Sequence, residues 1–212
     1  RFVFISSVKV NGEVTHASAP FFADAVAAPQ DAYGISKMEA EQGLLQIAAQ
    51  TGLEVVIIRP PLVYGPGVKG NFDALMRALQ LGLPLPLRSV YNQRSLVGLE
   101  NLVDFIMTCT FHPKAVNQTF LVSDGADLST PDLIHKMAEM AGIPARLWPL
   151  PVWLLHTGAG LLGKGAVVER LCGNLQVDIS KAKSLLGWTP PMSVDEGLKG
   201  AFAAKCLIKG IE

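Results

Sequence analysis

Residues 53–61, Leu-Glu-Val-Val-Ile-Ile-Arg-Pro-Pro, contain the short apolar run that decides the fold class. Four consecutive β-branched residues at 55–58 are typical of a strand that is buried on both faces of a parallel sheet. Pro60 and Pro61 end this strand, because proline has no backbone N–H to donate to a neighbouring strand. The sequence therefore predicts a central strand over residues 53–58.

A second apolar run and a helical segment precede this strand. Residues 2–6 predict a strand that ends in a polar turn, and residues 32–51 are rich in Ala, Glu, Gln and Leu, which favour a helix. Gly52 then stands where a helix commonly ends. Strand, helix and strand in this order form a parallel βαβ unit with a right-handed crossover, so we expect an α/β fold.

The bulk composition excludes several classes of protein. The chain has 212 residues, half of them hydrophobic, which suffices for one domain with a small appendage. Its 18 basic and 18 acidic residues form no basic stripe, so we expect no nucleic-acid partner. The cysteines and histidines are dispersed, so we predict no metal site and no disulfide framework, as in a cytoplasmic protein.

The most apolar stretch, residues 149–168, contains His156, Lys164 and four glycines. A transmembrane helix needs about twenty apolar residues without such interruptions. We therefore expect buried or lid-forming helices here and no membrane span.

Tyr33 and Lys37 are four residues apart and therefore share one face of the predicted helix. A nearby ammonium stabilises a phenolate, so the pair suits a general acid or base that acts on a hydroxyl. The pair alone is weak evidence, because a solvent-exposed helix surface produces the same spacing. Ser7 follows the first strand, at the sheet edge where ligands of α/β proteins bind, although a lone serine more often caps a turn.

Further motifs follow in order along nearly the whole chain. They are residues 4–12 (FISSVKVNG), 33–37 (YGISK), 59–67 (RPPLVYGPG), 70–72 (GNF), 93–104 (QRSLVGLENLVD), 177–182 (VDISKA) and 186–190 (LGWTP). Their order and spacing resemble the extended short-chain dehydrogenase/reductases, specifically the NAD-dependent epimerase/dehydratase family. Several ordered motifs are far more specific than any one of them.

This resemblance implies roles for the catalytic and cofactor-binding residues. Tyr33 would be the acid/base, and Lys37 would hold the nicotinamide ribose and tune Tyr33. Ser7 would position the sugar hydroxyl. Pro60 and Val63 would line the nicotinamide pocket of a bound NAD, or of NADP as the alternative.

The resemblance also implies a site for a UDP-sugar substrate. Asn71 and Phe72 would contact the nucleotide-sugar, and Arg94 would bind its diphosphate, since a planar guanidinium pairs with phosphate oxygens. The alternative for Arg94 is a surface ion pair. Arg170 is a candidate for a second phosphate contact.

By the same resemblance, the chain is the C-terminal portion of a Rossmann-type, doubly wound parallel sheet with a smaller mixed α/β substrate-binding lobe. Residues 1–65 would belong to the dinucleotide-binding domain. Residues 66–212 would form mainly the nucleotide-sugar lobe, with segments near 95–125 returning to the sheet.

The pyrophosphate-binding glycine motif of the family does not follow any predicted strand. Residues 158–163 have the bare G-x-G-x-x-G spacing, but no strand precedes them. We therefore expect the adenosine-binding half to lie before Arg1. We also expect this polypeptide alone to bind NAD weakly and to be inactive.

The implied activity is 4-epimerase chemistry at C4 of UDP-glucose or a UDP-N-acetylhexosamine. One alternative is a 4-reductase of UDP-4-keto-6-deoxyhexosamines in polysaccharide biosynthesis, because residues 8–13 (VKVNGE) depart from the epimerase pattern. The other is a ligand-binding member of the fold that has lost catalysis. The resemblance further implies a homodimer, formed through helices that include the one carrying Tyr33.

Overall fold

The computed structural model describes residues 1–16, 19–68, 71–161, 163 and 165–209. Five strands are formed: β1 (Phe2–Ile5), β2 (Val55–Arg59), β3 (Leu62–Tyr64), β4 (Leu96–Gly98) and β5 (Thr119–Leu121). Eight helices lie around them: α1 (Ala32–Thr51), α2 (Asn71–Gln80), α3 (Leu99–Phe111), α4 (Thr130–Met140), α5 (Val152–Leu161), α6 (Gly165–Cys172), α7 (Ser180–Leu186) and α8 (Val194–Lys209). Both counts refer to the described residues.

The main sheet has three parallel strands in the order β1-β2-β5. Phe4 pairs with Ile57, and Ile58 pairs with Phe120. Every residue of β2 is buried, as the continuous apolar run at 55–58 predicts. The β1-α1-β2 unit confirms the predicted parallel α/β architecture.

The ends of α1 follow from its flanking residues. The Asp31 side chain accepts a hydrogen bond from the Gly34 amide and caps the N-terminus. Gly52 ends the helix in the left-handed conformation, with φ of 74°. The helix thus spans the predicted residues 32–51.

A second, two-stranded parallel sheet pairs β3 with β4. Val63 and Tyr64 lie in β3, directly before the glycine- and proline-rich residues 65–67. Tyr64 is fully buried, and its hydroxyl donates a hydrogen bond of 2.8 Å to the carboxylate of Asp124. That contact joins residues distant in sequence, so local patterns do not reveal it.

Two hydrophobic clusters form the core. In the first, around the main sheet, the ring of Phe105 lies 4.6 Å from Trp188 and 5.7 Å from Phe120, centroid to centroid. The second joins β3, β4, α2, α4 and α8 around residues such as Met137 and Leu198. A division into domains near residue 65 stays a prediction.

Residues 158–161 of the G-x-G-x-x-G segment lie at the end of α5, and the element before α5 in the chain is the helix α4. In the described part of the chain, no helix is both long and apolar enough to cross a membrane.

Candidate active site

A cavity of about 230 Å³ opens where β1 and β2 end. Five of the residues that the sequence predicts as functional line it together: Ser7, Tyr33, Phe72, Arg94 and Arg170. They come from the turn after β1, from α1, from α2, from the segment before β4 and from α6. The location agrees with the rule that ligands of α/β sheets bind beyond the carboxyl ends of the strands.

Ser7 lies on the cavity wall and also caps a short 3₁₀-helix, Val8–Val10. Its Oγ accepts a hydrogen bond of 3.2 Å from the Lys9 amide. This leaves the hydroxyl hydrogen available to donate to a ligand oxygen.

Tyr33 stands on the first turn of α1 and is 52% exposed. Within the described residues, its hydroxyl makes no hydrogen bond. The next residue, Gly34, permits this placement, because a Cβ there would lie 2.9 Å from the carbonyl oxygen of Lys9. Glycine thus lets the start of α1 approach the turn that carries Ser7.

Lys37 lies one helical turn after Tyr33 and points toward the end of β1. Its Nζ donates a hydrogen bond of 3.0 Å to the carbonyl oxygen of Ile5. The same Nζ is 4.8 Å from the ring centroid of Phe4 and 5.9 Å from that of Tyr33. Lys37 is therefore beside Tyr33, although it does not line the cavity.

The segment after β2 contributes Pro61 and Leu62 to the cavity, whereas Pro60 and Val63 do not line it. The carbonyl oxygen of Pro60 accepts a hydrogen bond of 3.0 Å from the Val8 amide. Val63 pairs with β4 and packs against the first core cluster. Contacts of Pro60 and Val63 with a cofactor stay a prediction.

Arg94 is held by hydrogen bonds to the backbone of two other segments. Its amide donates to the Leu128 carbonyl at 2.9 Å, and its Nη1 donates to the Gly173 carbonyl at 2.9 Å. Burial lowers the pKa of its guanidinium, and the Glu13 carboxylate acts in the opposite direction. Among the described residues Arg94 forms no ion pair, so its charge is available to an anionic ligand.

The remaining substrate-binding candidates differ in placement. Phe72 is buried, and its ring centroid lies 5.7 Å from that of Tyr64, so it is both core and cavity wall. Arg170 is exposed on α6 at the cavity. Asn71 begins α2, but its side chain lies outside the described part of the structure.

Sequence reasoning missed a charged network beside Ser7. The Lys9 ammonium bonds to the carboxylates of Glu13, at 2.6 Å, and Asp31, and both Lys9 and Glu13 line the cavity. Partial burial lowers the pKa of Lys9, but the hydrogen bonds to Asp31 and Glu13 raise it further, so the net shift is upward. The sequence signal that could have indicated this network is the segment at residues 8–13, which departs from the epimerase pattern.

Sequence reasoning also missed a buried ion pair between α1 and β2. Arg59 forms two parallel hydrogen bonds with the Glu41 carboxylate, at 2.9 and 2.5 Å. Glu41 also accepts a hydrogen bond from the Ser6 hydroxyl. Since Glu41 lies one turn beyond Lys37, the pair fixes the helix face that carries Tyr33 against the end of β1.

Comparisons of the sequence with known proteins identify the family of this chain. The family model described as the NAD dependent epimerase/dehydratase family matches residues 1–122. A UDP-glucose 4-epimerase of Vibrio cholerae is 52% identical over 94% of this chain, which spans 61% of that relative's length.

Solved structures show the same fold. A UDP-glucuronic acid 4-epimerase from Bacillus cereus, in complex with NAD, has a TM-score of 0.77 at 19% sequence identity. The alignment covers 98% of this chain and 61% of the Bacillus cereus chain. A UDP-glucose 4-epimerase from Thermotoga maritima, with UDP-glucose, has a TM-score of 0.74 at 23% sequence identity. The alignment covers 100% of this chain and 64% of the Thermotoga maritima chain. The predicted Rossmann-type fold is thereby confirmed. The chain belongs to the NAD-dependent epimerase/dehydratase family.

Proposed function

We propose that the whole protein is a UDP-sugar 4-epimerase of the UDP-glucose type. The observation that carries this proposal is the single cavity that brings together a tyrosine, a serine and two arginines, namely Tyr33, Ser7, Arg94 and Arg170. A hydroxyl-activating pair and two guanidinium groups match a ligand that combines a sugar with a diphosphate. The 52% identical relative, a UDP-glucose 4-epimerase, supports the same assignment.

In this proposal the Tyr33 oxygen takes and returns the proton of the sugar C4 hydroxyl. Ser7 donates its remaining hydroxyl hydrogen to the same sugar oxygen. The Lys37 ammonium stabilises the phenolate form of Tyr33 from the adjacent helical turn. Arg94 and Arg170 bind the diphosphate and thereby set the position of the sugar.

The cofactor in this proposal is NAD. The donor set fits its nicotinamide ribose, because a tyrosine hydroxyl and a lysine ammonium lie on one face of α1, at the carboxyl end of β1. When bound, the nicotinamide supplies hydride exchange at C4 of the sugar. Solved structures of the same fold hold NAD in one case and NADPH in another, so NADP stays the alternative.

We also propose a homodimer formed through α1. Three large apolar side chains of this helix are exposed, Ile35, Leu45 and Ile47. A helix at the surface of a monomer usually keeps such residues toward the core. A second copy of α1 would cover Ile35 and Leu45 in a symmetric interface, whereas Ile47, two residues beyond Leu45, faces another side of the helix.

One observation favours a second candidate, a 4-reductase of UDP-4-keto-6-deoxyhexosamines. Lys9 and Glu13, from the segment that departs from the epimerase pattern, both line the cavity beside Ser7. Different side chains on the cavity wall beside Ser7 and Tyr33 alter which substituents of the sugar ring the cavity accommodates.

Turnover without added cofactor separates the two candidates. We expect the purified whole protein to convert UDP-glucose or UDP-N-acetylglucosamine into its 4-epimer with no nicotinamide supplied, because epimerisation regenerates its cofactor. Proton NMR of the sugar anomeric signals measures the conversion. No epimer, together with NADPH consumption on a UDP-4-keto-6-deoxyhexosamine, would replace the epimerase with the reductase.

Arg94→Gln is expected to raise KM for the UDP-sugar by about 10- to 100-fold, because a charge-assisted hydrogen bond contributes about 1.5–3 kcal/mol. The value of kcat should change little, since the contact is made equally in the ground and transition states. Steady-state kinetics measures both constants. Arg88→Gln, which removes an exposed arginine outside the cavity, is the matched control, and an equal KM for the two variants would exclude Arg94 from substrate binding.

A further inference from the structure

Two segments of the chain carry basic residues and no acidic ones. Residues 74–99 contain three arginines, at 77, 88 and 94, and no Asp or Glu. Residues 140–168 contain Arg146 and Lys164 and likewise no Asp or Glu. Arg77 is paired with Asp73, just outside the first segment, and Arg94 lines the cavity, so Arg88 and Arg146 are the arginines that the two segments contribute to the surface between them.

The fold places these two segments side by side. The Leu85 amide donates to the Arg146 carbonyl at 2.8 Å, and the Trp148 amide donates to the Leu85 carbonyl at 2.9 Å. The Arg146 side chain reaches across to the carbonyl oxygen of Gly82. Farther along the second segment, α5 packs against α6.

The joined surface exposes large apolar side chains and is called the acid-free face below. Trp148 is 65% exposed and Trp153 is 64% exposed. Helix α5 contains no charged residue and, among its described residues, none that is buried. The exposed apolar residues of the face are Leu81, Leu83, Trp148, Trp153, Leu154 and Leu161.

Exposed arginines accompany these apolar residues. Arg88 and Arg146 are both exposed, and the Arg88 amide donates to the Trp148 carbonyl at 3.1 Å, which places a cationic residue next to a tryptophan. Tryptophan and tyrosine concentrate at the headgroup level of bilayers, and arginine is attracted to anionic lipids. Because α5 is too short to span a bilayer, its apolar side chains would contact lipid at the membrane surface.

We propose that the acid-free face docks on the surface of an anionic phospholipid membrane. The charge favours lipid over a second copy of the chain, because a two-fold contact through this face would bring four arginines into one interface, and the two segments contain no acidic residue to balance them. Docking would put α5 in the headgroup region. The proposal does not depend on the proposed activity.

Vesicle binding by the whole protein tests the proposal. We expect the protein to sediment with vesicles of phosphatidylcholine and phosphatidylglycerol but not with phosphatidylcholine alone, and salt should weaken the binding. Tryptophan emission should shift to the blue, since Trp148 and Trp153 leave water whereas the third tryptophan of this chain, Trp188, is already buried. The double variant Trp148→Ser/Trp153→Ser should lose binding.

Charge variants provide the matched comparison. Arg88→Glu/Arg146→Glu should weaken partitioning by at least about tenfold, because each basic residue near the surface contributes to the attraction. Lys114→Glu/Lys183→Glu reverses two exposed lysines outside the acid-free face and should bind as the wild type does. Circular dichroism verifies that each variant is folded.

Two results would overturn the proposal. One is the absence of binding to anionic vesicles, or equal binding by the wild type and the Arg88→Glu/Arg146→Glu variant. The other is an oligomer in solution that Trp148→Ser/Trp153→Ser converts into a smaller species without any effect on vesicle binding, which would assign the acid-free face to a second copy.

Discussion

Tyr33→Phe is expected to lower kcat of the whole protein for UDP-sugar epimerisation by about 10²- to 10⁴-fold, the range that general acid–base groups contribute. The substitution removes the oxygen that would exchange the C4 proton and keeps the ring on the cavity wall. KM should change little, because the proposed diphosphate contacts of Arg94 and Arg170 remain. Steady-state kinetics with UDP-glucose measures both effects.

Tyr91→Phe is the matched control, because Tyr91 is exposed and lies outside the cavity. It should retain wild-type turnover. If Tyr33→Phe also retained wild-type turnover, Tyr33 would not be the acid/base.

Breaking the buried ion pair should have the largest effect on stability. Glu41→Gln or Arg59→Met is expected to lower the free energy of unfolding by about 3–5 kcal/mol, since each leaves a charged or polar partner buried without compensation. The side chains of Arg59 and Glu41 are 9% and 5% exposed, so water cannot replace the lost contacts. Urea denaturation followed by circular dichroism measures the change.

Two further variants calibrate this result. Arg77→Met removes a side chain that is 72% exposed and paired with Asp73, and it should cost less than about 1 kcal/mol. The double variant Glu41→Leu/Arg59→Met should be more stable than either single variant, because no buried charge is left unpaired. A loss for Glu41→Gln no larger than that for Arg77→Met would show that the pair does not anchor α1.

The local part of the fold could be predicted from the sequence. The limits of α1 follow from Asp31 and Gly52, which act through contacts within a few residues. The start of α4 follows in the same way, because the Ser129 side chain accepts from the Asp132 amide. The burial of β2 follows from four consecutive β-branched residues.

The nonlocal part could not be predicted, for identifiable reasons. Strand β3 forms because it pairs with β4. The sequence of residues 62–64 does not indicate which strand will be its partner. The Arg59–Glu41 pair likewise requires that α1 already lie on β2. Pro61 rather than Pro60 lines the cavity. The sequence does not indicate which of the two prolines does so, because neighbouring residues of an extended segment face opposite sides.

The family motifs predicted more of the site than the spacing of Tyr33 and Lys37 did. Tyr33 and Lys37 alone are a common helical pair, and Ser7 alone is an ordinary capping serine, which it also is here. The structure places Ser7 and Tyr33 in one cavity with Arg94 and Arg170, and it places Lys37 beside Tyr33. The roles assigned to these residues remain proposals, for which this convergence is the structural support.

The most direct measurement of the central claim uses UDP-glucose that carries deuterium at C4. The whole protein should produce the 4-epimer with the deuterium retained at C4, because the C4 hydrogen is transferred within the active site while Tyr33 exchanges only the hydroxyl proton. Mass spectrometry and NMR of the product locate the label. Loss of the deuterium to water during conversion would contradict the account, since it would mean that the C4 hydrogen leaves as a proton.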